Sequence, residues 1–247
     1  MDLIVNAATV TDVGLVRSNN EDSAHAGRRV FAVADGVGGM PAGEVASAIV
    51  IRALAELDGE VAPEADPLAL LGRAVESANR QIREAGAANP AHDGMGTTVT
   101  ALLVAGDQIA LVHVGDSRCY RLRDGALAQL TRDDTFVQDL VDHGVLTVAQ
   151  ARTHPRRSLV TQAVQGVDVA PALSLVTPDP GDRFLLCSDG LSDAVTDEAI
   201  AELLRDVSDP QECAERLVRL ALAAGAGDNV TVLVADVSRS DSPGSAG

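Results

Sequence analysis

The sequence predicts an α+β fold of antiparallel character, and two packed antiparallel β-sheets flanked by helices accommodate its strand count. Three observations carry this expectation. Between residues 97 and 131, short apolar runs are broken by Gly106-Asp107, Gly115-Asp116 and Asp124-Gly125, the texture of hairpins rather than of βαβ units. Helical patterns occur in pairs, at residues 41–88 and 196–224, instead of singly between strands. With 46% apolar residues in a chain of 247, a substantial core can be buried within one domain.

Residues 3–10 and 30–34 read as strands, separated by the polar stretch 17–22. Pro41 stands near the start of a helical segment that puts Val45, Ala48 and Ile49 on one face. A second helix is expected over residues 67–88, ended by Asn89-Pro90. Strands at 98–104, 109–114, 119–122 and 126–130 follow as an expected meander. Its sharpest hairpin signal is Asp124-Gly125, because a tight primed turn needs positive φ. Residues 133–158 are more polar and read as a surface excursion, with Thr147 and Gln150 spaced for a helix cap. Strands return at 172–176 and 184–187, helices at 196–204 and 211–224, and a last strand at 229–237. Cys213, Leu217, Leu220 and Ala224 form one stripe of the last helix. A single domain over residues 1–237 and a disordered tail at 238–247, rich in Ser, Gly, Pro and Asp, complete the reading.

The chain has no Trp, one Tyr and three Phe, so its core must be packed from small aliphatic side chains. A net charge of −17 repels phosphate backbones and anionic bilayers, which argues against nucleic-acid and membrane partners. Cys119, Cys187 and Cys213 are odd in number and lack CxxC spacing, so reduced thiols are expected. The N-terminus carries no basic, apolar leader and no run of about 18 apolar residues occurs, so the expected location is cytoplasmic.

Acidic clusters mark the ends of expected strands: Glu21-Asp22, Asp35-Gly36, Gly115-Asp116, Asp189-Gly190 with Asp193, and Gly227-Asp228-Asn229. An Asp-Gly pair commonly makes only a turn. Gathered in space, however, such carboxylates and carbonyls form oxygen-only sites that suit Mg²⁺ or Mn²⁺.

Taken with their flanks, these clusters form six ordered motifs. They are Gly14-Leu15-Val16-Arg17 leading to Glu21-Asp22, Val33-Ala34-Asp35-Gly36 leading to Gly38-Gly39, Gly96-Thr97-Thr98, Gly115-Asp116-Ser117-Arg118, Ser188-Asp189-Gly190-Leu191 and Gly227-Asp228-Asn229. In order and spacing the chain resembles the PP2C (PPM) family of metal-dependent serine/threonine protein phosphatases, in its compact bacterial form, over residues 6–237. The resemblance implies a β-sandwich flanked by helices, with two divalent cations, Mn²⁺ or Mg²⁺, between the sheets. Asp35 would bridge both cations, Gly36 would lend its carbonyl, and Asp189 and Asp228 would be the other direct ligands. Glu21 and Asp22 would act through metal-bound waters, and Asp116 and Asp193 match positions that help hold a weaker third metal. Arg17 would bind the phosphate through its planar fork. The reaction so implied is attack of metal-activated water on phosphoserine or phosphothreonine esters. Phosphorylated proteins, and a serine/threonine kinase that makes them, are the implied partners.

Two departures from the family pattern matter: Val37 and Met40 stand where some members carry His. Leaving-group protonation is therefore left without an assigned residue, with metal-bound water the preferred donor. A catalytically silent metal-binding or signalling module remains the second reading, while the joint presence of Asp35, Asp189 and Asp228 favours the enzyme. Residues 133–158 resemble the flap beside bacterial active sites, where Arg156-Arg157 either meets phosphorylated partners or keeps the segment soluble.

Other motifs fit worse. The glycine-rich run from Gly36 to Gly43 has Pro41 breaking the dinucleotide-binding spacing, and Asp35 would face the pyrophosphate. Cys213 and Arg219 satisfy Cys-x5-Arg, but the intervening residues contain no Gly and fit a helix. His25, His92, His113, His143 and His154 show no metal-ligand spacing.

Overall fold

A computed structural model describes residues 3–37, 42–59 and 65–239. Ten strands and seven helices follow in the order β1 (Leu3–Asp12), β2 (Ser23–Ala26), β3 (Val30–Ala34), α1 (Gly43–Ala55), α2 (Pro67–Ala88), β4 (Val99–Ala105), β5 (Gln108–Val114), β6 (Arg118–Arg123), β7 (Ala126–Gln129), α3 (Phe136–Asp142), α4 (Val148–Arg152), β8 (Ala172–Val176), β9 (Arg183–Cys187), α5 (Asp189–Ser192), α6 (Asp197–Asp206), α7 (Pro210–Ala223) and β10 (Val230–Arg239), counting described residues only.

The strands form two five-stranded antiparallel sheets, in the orders β1-β10-β9-β6-β7 and β2-β3-β4-β5-β8. The twofold period of β-structure explains how buried strands serve two cores at once. In β3, Val30, Ala32 and Ala34 pack towards α1 and α2, while Phe31 and Val33 join the core between the sheets. In β10, Val230, Val232 and Val234 meet α7, while Leu233, Ala235 and Val237 face the opposite sheet. Phe31 and Phe184 are the aromatics of the inter-sheet core, and Tyr120 belongs to the helical side of the other sheet. The result is the helix–sheet–sheet–helix layering expected from the sequence.

Local chemistry accounts for the boundaries. Asp66 caps α2 by accepting from the Leu68 N–H, with Pro67 at its first position. Asp209 and Pro210 repeat the device on α7. Thr147 and Gln150 form a reciprocal capping box on α4. Asp124 and Gly125 both take positive φ, 50° and 75°, in the primed turn that joins β6 to β7.

Two expectations are corrected. Residues 97–131 are not one meander: β4 and β5 pair in one sheet, whereas β6 and β7 belong to the other. Gly115-Asp116 is the crossover, and hydrogen bonds from Thr100 Oγ1 to Ser117 O (2.9 Å) and between Thr98 Oγ1 and Ser117 Oγ (2.6 Å) hold the departing chain against β4. The expected tail begins too early, because Ser238 and Arg239 still pair with Ile4 and Leu3 in β10 and β1. Residues 240–247, and Pro41 at the expected helix start, lie outside the described residues. β2 and the one-turn α5, four residues each, escaped the sequence reading. The three cysteines are buried and free.

Candidate metal centre

The acidic motifs converge where the two sheets present the ends of β3, β9 and β10. Asp35 follows β3 directly, and its backbone is clamped on both sides. Its N–H donates to Thr98 Oγ1 (3.0 Å), while its carbonyl accepts from Thr98 N–H (2.8 Å) and Thr97 Oγ1 (2.9 Å). The Gly96-Thr97-Thr98 motif thus acquires a role that spacing alone does not assign: it aims the Asp35 carboxylate. Gly36 is required for close approach, since a Cβ there would lie 2.6 Å from the Gly43 carbonyl carbon at the start of α1.

Asp189 opens α5, immediately after β9. The neighbouring Ser188 Oγ accepts from Thr231 N–H (2.9 Å) and donates to Asp22 Oδ2 (2.8 Å), tying β9, β10 and the segment before β2 together. Asp228 precedes β10; its Oδ1 accepts from Asn229 N–H and its Oδ2 from Arg17 Nη2 at 2.7 Å. Arg17 is therefore paired with an expected metal ligand, a contact that sequence spacing does not reveal.

Arg17, Asp35, Asp116, Asp189 and Asp228 line one cavity of about 100 Å³, together with Val37, Thr98, Ser158 and Val160. Glu21 and Asp22 sit behind this lining. Glu21 lies over the start of α1, where a Cβ on Gly43 would come within 2.6 Å of its Oε2. Asp193 lines an adjoining cavity of about 190 Å³ with Asp116 and Asp189, beneath α3 and α4. There it forms an ion pair with Arg157 at 3.3 Å, so the structure places that arginine against an acidic residue of the site. Arg156 instead lies 5.8 Å from the centre of the Phe136 ring. Met40, Gly38 and Gly39 lie outside the described residues.

The electrostatics are those of crowded anions. Burial, and then the charges of Asp22, Asp189, Asp116 and Asp228, push the Asp35 carboxyl well above the ordinary range. Asp189 is raised in the same way by burial, Asp116, Asp193, Asp228 and Asp22. Burial, with Asp133 and Asp193, lifts Asp116 to about 7. Asp22 is raised mainly by burial, against hydrogen bonds from Thr231 and Ser188. Its Oδ1 is buried with no hydrogen-bond partner.

Such a cluster fits divalent cations. Every donor is a hard oxygen, the carboxylates repel one another without a counter-charge, and one buried oxygen lacks a partner. Among the described residues no three His, Cys, Asp or Glu side chains close up into a cage for one ion. The carboxylates are instead spread around a cavity, which suits ions that keep part of their water shell.

Comparison with known proteins agrees with this geometry. The protein phosphatase 2C family model matches residues 16–223. The serine/threonine protein phosphatase PstP of Mycobacterium tuberculosis is 54% identical over 235 residues, covering 95% of this chain and 45% of that protein. The chain thus spans about half the length of these M. tuberculosis relatives. The protein phosphatase PhpP of Streptococcus pneumoniae is 33% identical over 94% of this chain and 97% of its own length. A crystal structure of the PstP catalytic domain with two manganese ions superposes with a TM-score of 0.90 at 51% identity, covering 96% of this chain and all of that one. With the family model matched over most of its length and its carboxylates gathered at the ends of the two sheets, the chain belongs to the protein phosphatase 2C family.

Proposed function

We propose that this chain is a metal-dependent serine/threonine protein phosphatase, acting on phosphoproteins made by a serine/threonine kinase. The observation that carries the reading is the convergence of Asp35, Asp189, Asp228 and Arg17 on one cavity. Asp35, the Gly36 carbonyl, Asp189 and Asp228 would hold two cations, Mn²⁺ or Mg²⁺. Glu21 and Asp22 would orient water around them, and Asp116 and Asp193 would contribute to a weaker third site. Two such cations supply a water nucleophile at neutral pH and neutralise the phosphate charge.

The chain's own residues do the rest. The bond to Asp228 uses only the Nη2 end of the Arg17 fork, and a guanidinium has five N–H donors. Arg17 can therefore hold phosphate oxygens while remaining registered against the cation-binding edge. Thr97 and Thr98 keep Asp35 from following the substrate's charge. No histidine lines the cavity among the described residues, and water is the proposed proton donor to the leaving oxygen. Ser158, with Val160 just beyond it, brings the end of the 133–158 flap to the cavity wall, where that segment would shape substrate access.

The related proteins are named as phosphatases, and no observation favours a silent module. The test is phosphate release from a phosphothreonine peptide by metal-stripped protein, with and without added Mn²⁺, for wild type, Asp35→Asn and Asp228→Asn. Metal-dependent turnover in wild type should fall by about a hundredfold or more in each variant. No release by folded wild type with added Mn²⁺ would overturn the reading. No described helix is long and apolar enough to cross a membrane.

A further inference from the structure

Arg17 and Glu21 are carried by an arch, residues 13–21, that has little apolar anchorage. Leu15 and Val16 are 62% and 80% exposed, and Val13 is exposed as well. Polar bonds must therefore hold the arch down. Leu15 N–H and Val16 N–H donate to Ala226 O (3.0 Å) and Gly227 O (3.3 Å) at its crown. Both of its feet are bound by one side chain. Asn229 is 4% exposed, and its Nδ2 donates to Val13 O and Asn19 O, each at 2.9 Å. Its Oδ1 accepts from Glu21 N–H at 2.8 Å. The same residue's backbone N–H donates to Asp228 Oδ1.

We propose that Asn229 is a positioning residue: its carboxamide closes the arch on either side of Arg17, and so holds Arg17 against Asp228 and fixes the backbone of Glu21. The function of the arch rests on the phosphatase reading above; the tie itself does not. The chemistry demands this residue type. One planar group must offer two donors to two carbonyls and one acceptor to an N–H, which a carboxamide does. A carboxylate of the same shape would turn an oxygen towards both carbonyls, and a shorter hydroxyl would not span the three partners. A buried group satisfied in this way is costly to remove, because its partners lose their bonds together.

The experiment uses the full chain with Asn229→Ala, Asn229→Asp and Arg17→Ala, singly and as the Asn229/Arg17 double variant. Two readouts are followed at saturating Mn²⁺: KM and kcat on a phosphothreonine peptide, and amide hydrogen exchange over residues 13–21, with a thermal melt showing each variant folded. Asn229→Ala should raise KM by roughly tenfold, the weight of about one charge-assisted bond to phosphate, with a much smaller change in kcat. Arg17→Ala should add less than about twofold in the Asn229→Ala background, since both changes disable the same contact. Exchange at the Glu21 amide should quicken in Asn229→Ala and stay protected in Asn229→Asp, which keeps the acceptor but loses both donors. Full multiplication of the two single effects, or unchanged protection of residues 13–21 in both Asn229 variants, would overturn the proposal. If Asn229→Ala does not fold, the Asn229→Asp arm decides: KM raised with the Glu21 amide protected supports the tie, and an unchanged KM overturns it. If wild type releases no phosphate, the phosphatase reading fails, and exchange alone judges the tie.

Discussion

Asp116 gives the sharpest stability prediction, because it is buried among like charges and titrates within an accessible range. It is 7% exposed, and its carboxyl is lifted from 3.8 to about 7 by burial and by Asp133 and Asp193, against its own backbone N–H and Arg118. A carboxyl raised on folding is protonated in the folded chain where the unfolded chain is already ionised. Its contribution is thus fully present below the unfolded value and lost as pH rises from about 4 to about 7. A shift of about three units, at 1.36 kcal/mol each, sets an upper bound of about 4 kcal/mol. Relaxation and water entry in metal-free protein should reduce that to about 2 kcal/mol. Asp116→Asn preserves the shape and removes the charge. In metal-stripped protein at pH 8 it should melt about 4–8 °C above wild type, the range for about 2 kcal/mol in a chain of this size. At pH 4 the two should coincide. Calorimetry at both pH values is the assay. Equal melting at pH 8, or the same offset at pH 4, would refute the argument that ionisation of Asp116 opposes the metal-free fold.

Two further outcomes follow from the packing. Gly190→Ala would put a Cβ 2.1 Å from the Asn229 carbonyl oxygen, a backbone clash that should cost about 3 kcal/mol or more; a denaturant midpoint equal to wild type would contradict it. Asp133→Ala would strand Arg118, whose Nε and Nη2 donate to both Asp133 carboxylate oxygens in a pair less than one-fifth exposed. A loss of about 3 kcal/mol by chemical denaturation is expected, and a loss below about 1 kcal/mol would show the pair to be solvated.

The fold was most legible where period and punctuation agree. Pro67 and Asn89-Pro90 bound α2, Asp124-Gly125 makes its hairpin, and Ala172–Val176 pairs as a strand over the expected residues. Capping and turn chemistry are local, so spacing in the chain suffices to read them. Sheet membership is not local. Nothing in the spacing around Gly115-Asp116 distinguishes a hairpin within one sheet from a crossover between two, because both need a turn after an apolar run.

The same division holds at the candidate centre. By itself the sequence determined which residues carry oxygen donors, their order, and their placement at strand ends: Asp35 after β3, Asp189 after β9 and Asp228 before β10. Only the tertiary structure decided what those side chains meet. It set Arg17 on Asp228, Arg157 on Asp193, and the Asn229 carboxamide under the arch. These contacts join residues 36 to 216 positions apart, and a pairing across that distance is fixed by which strands lie side by side, which no local pattern of residues encodes.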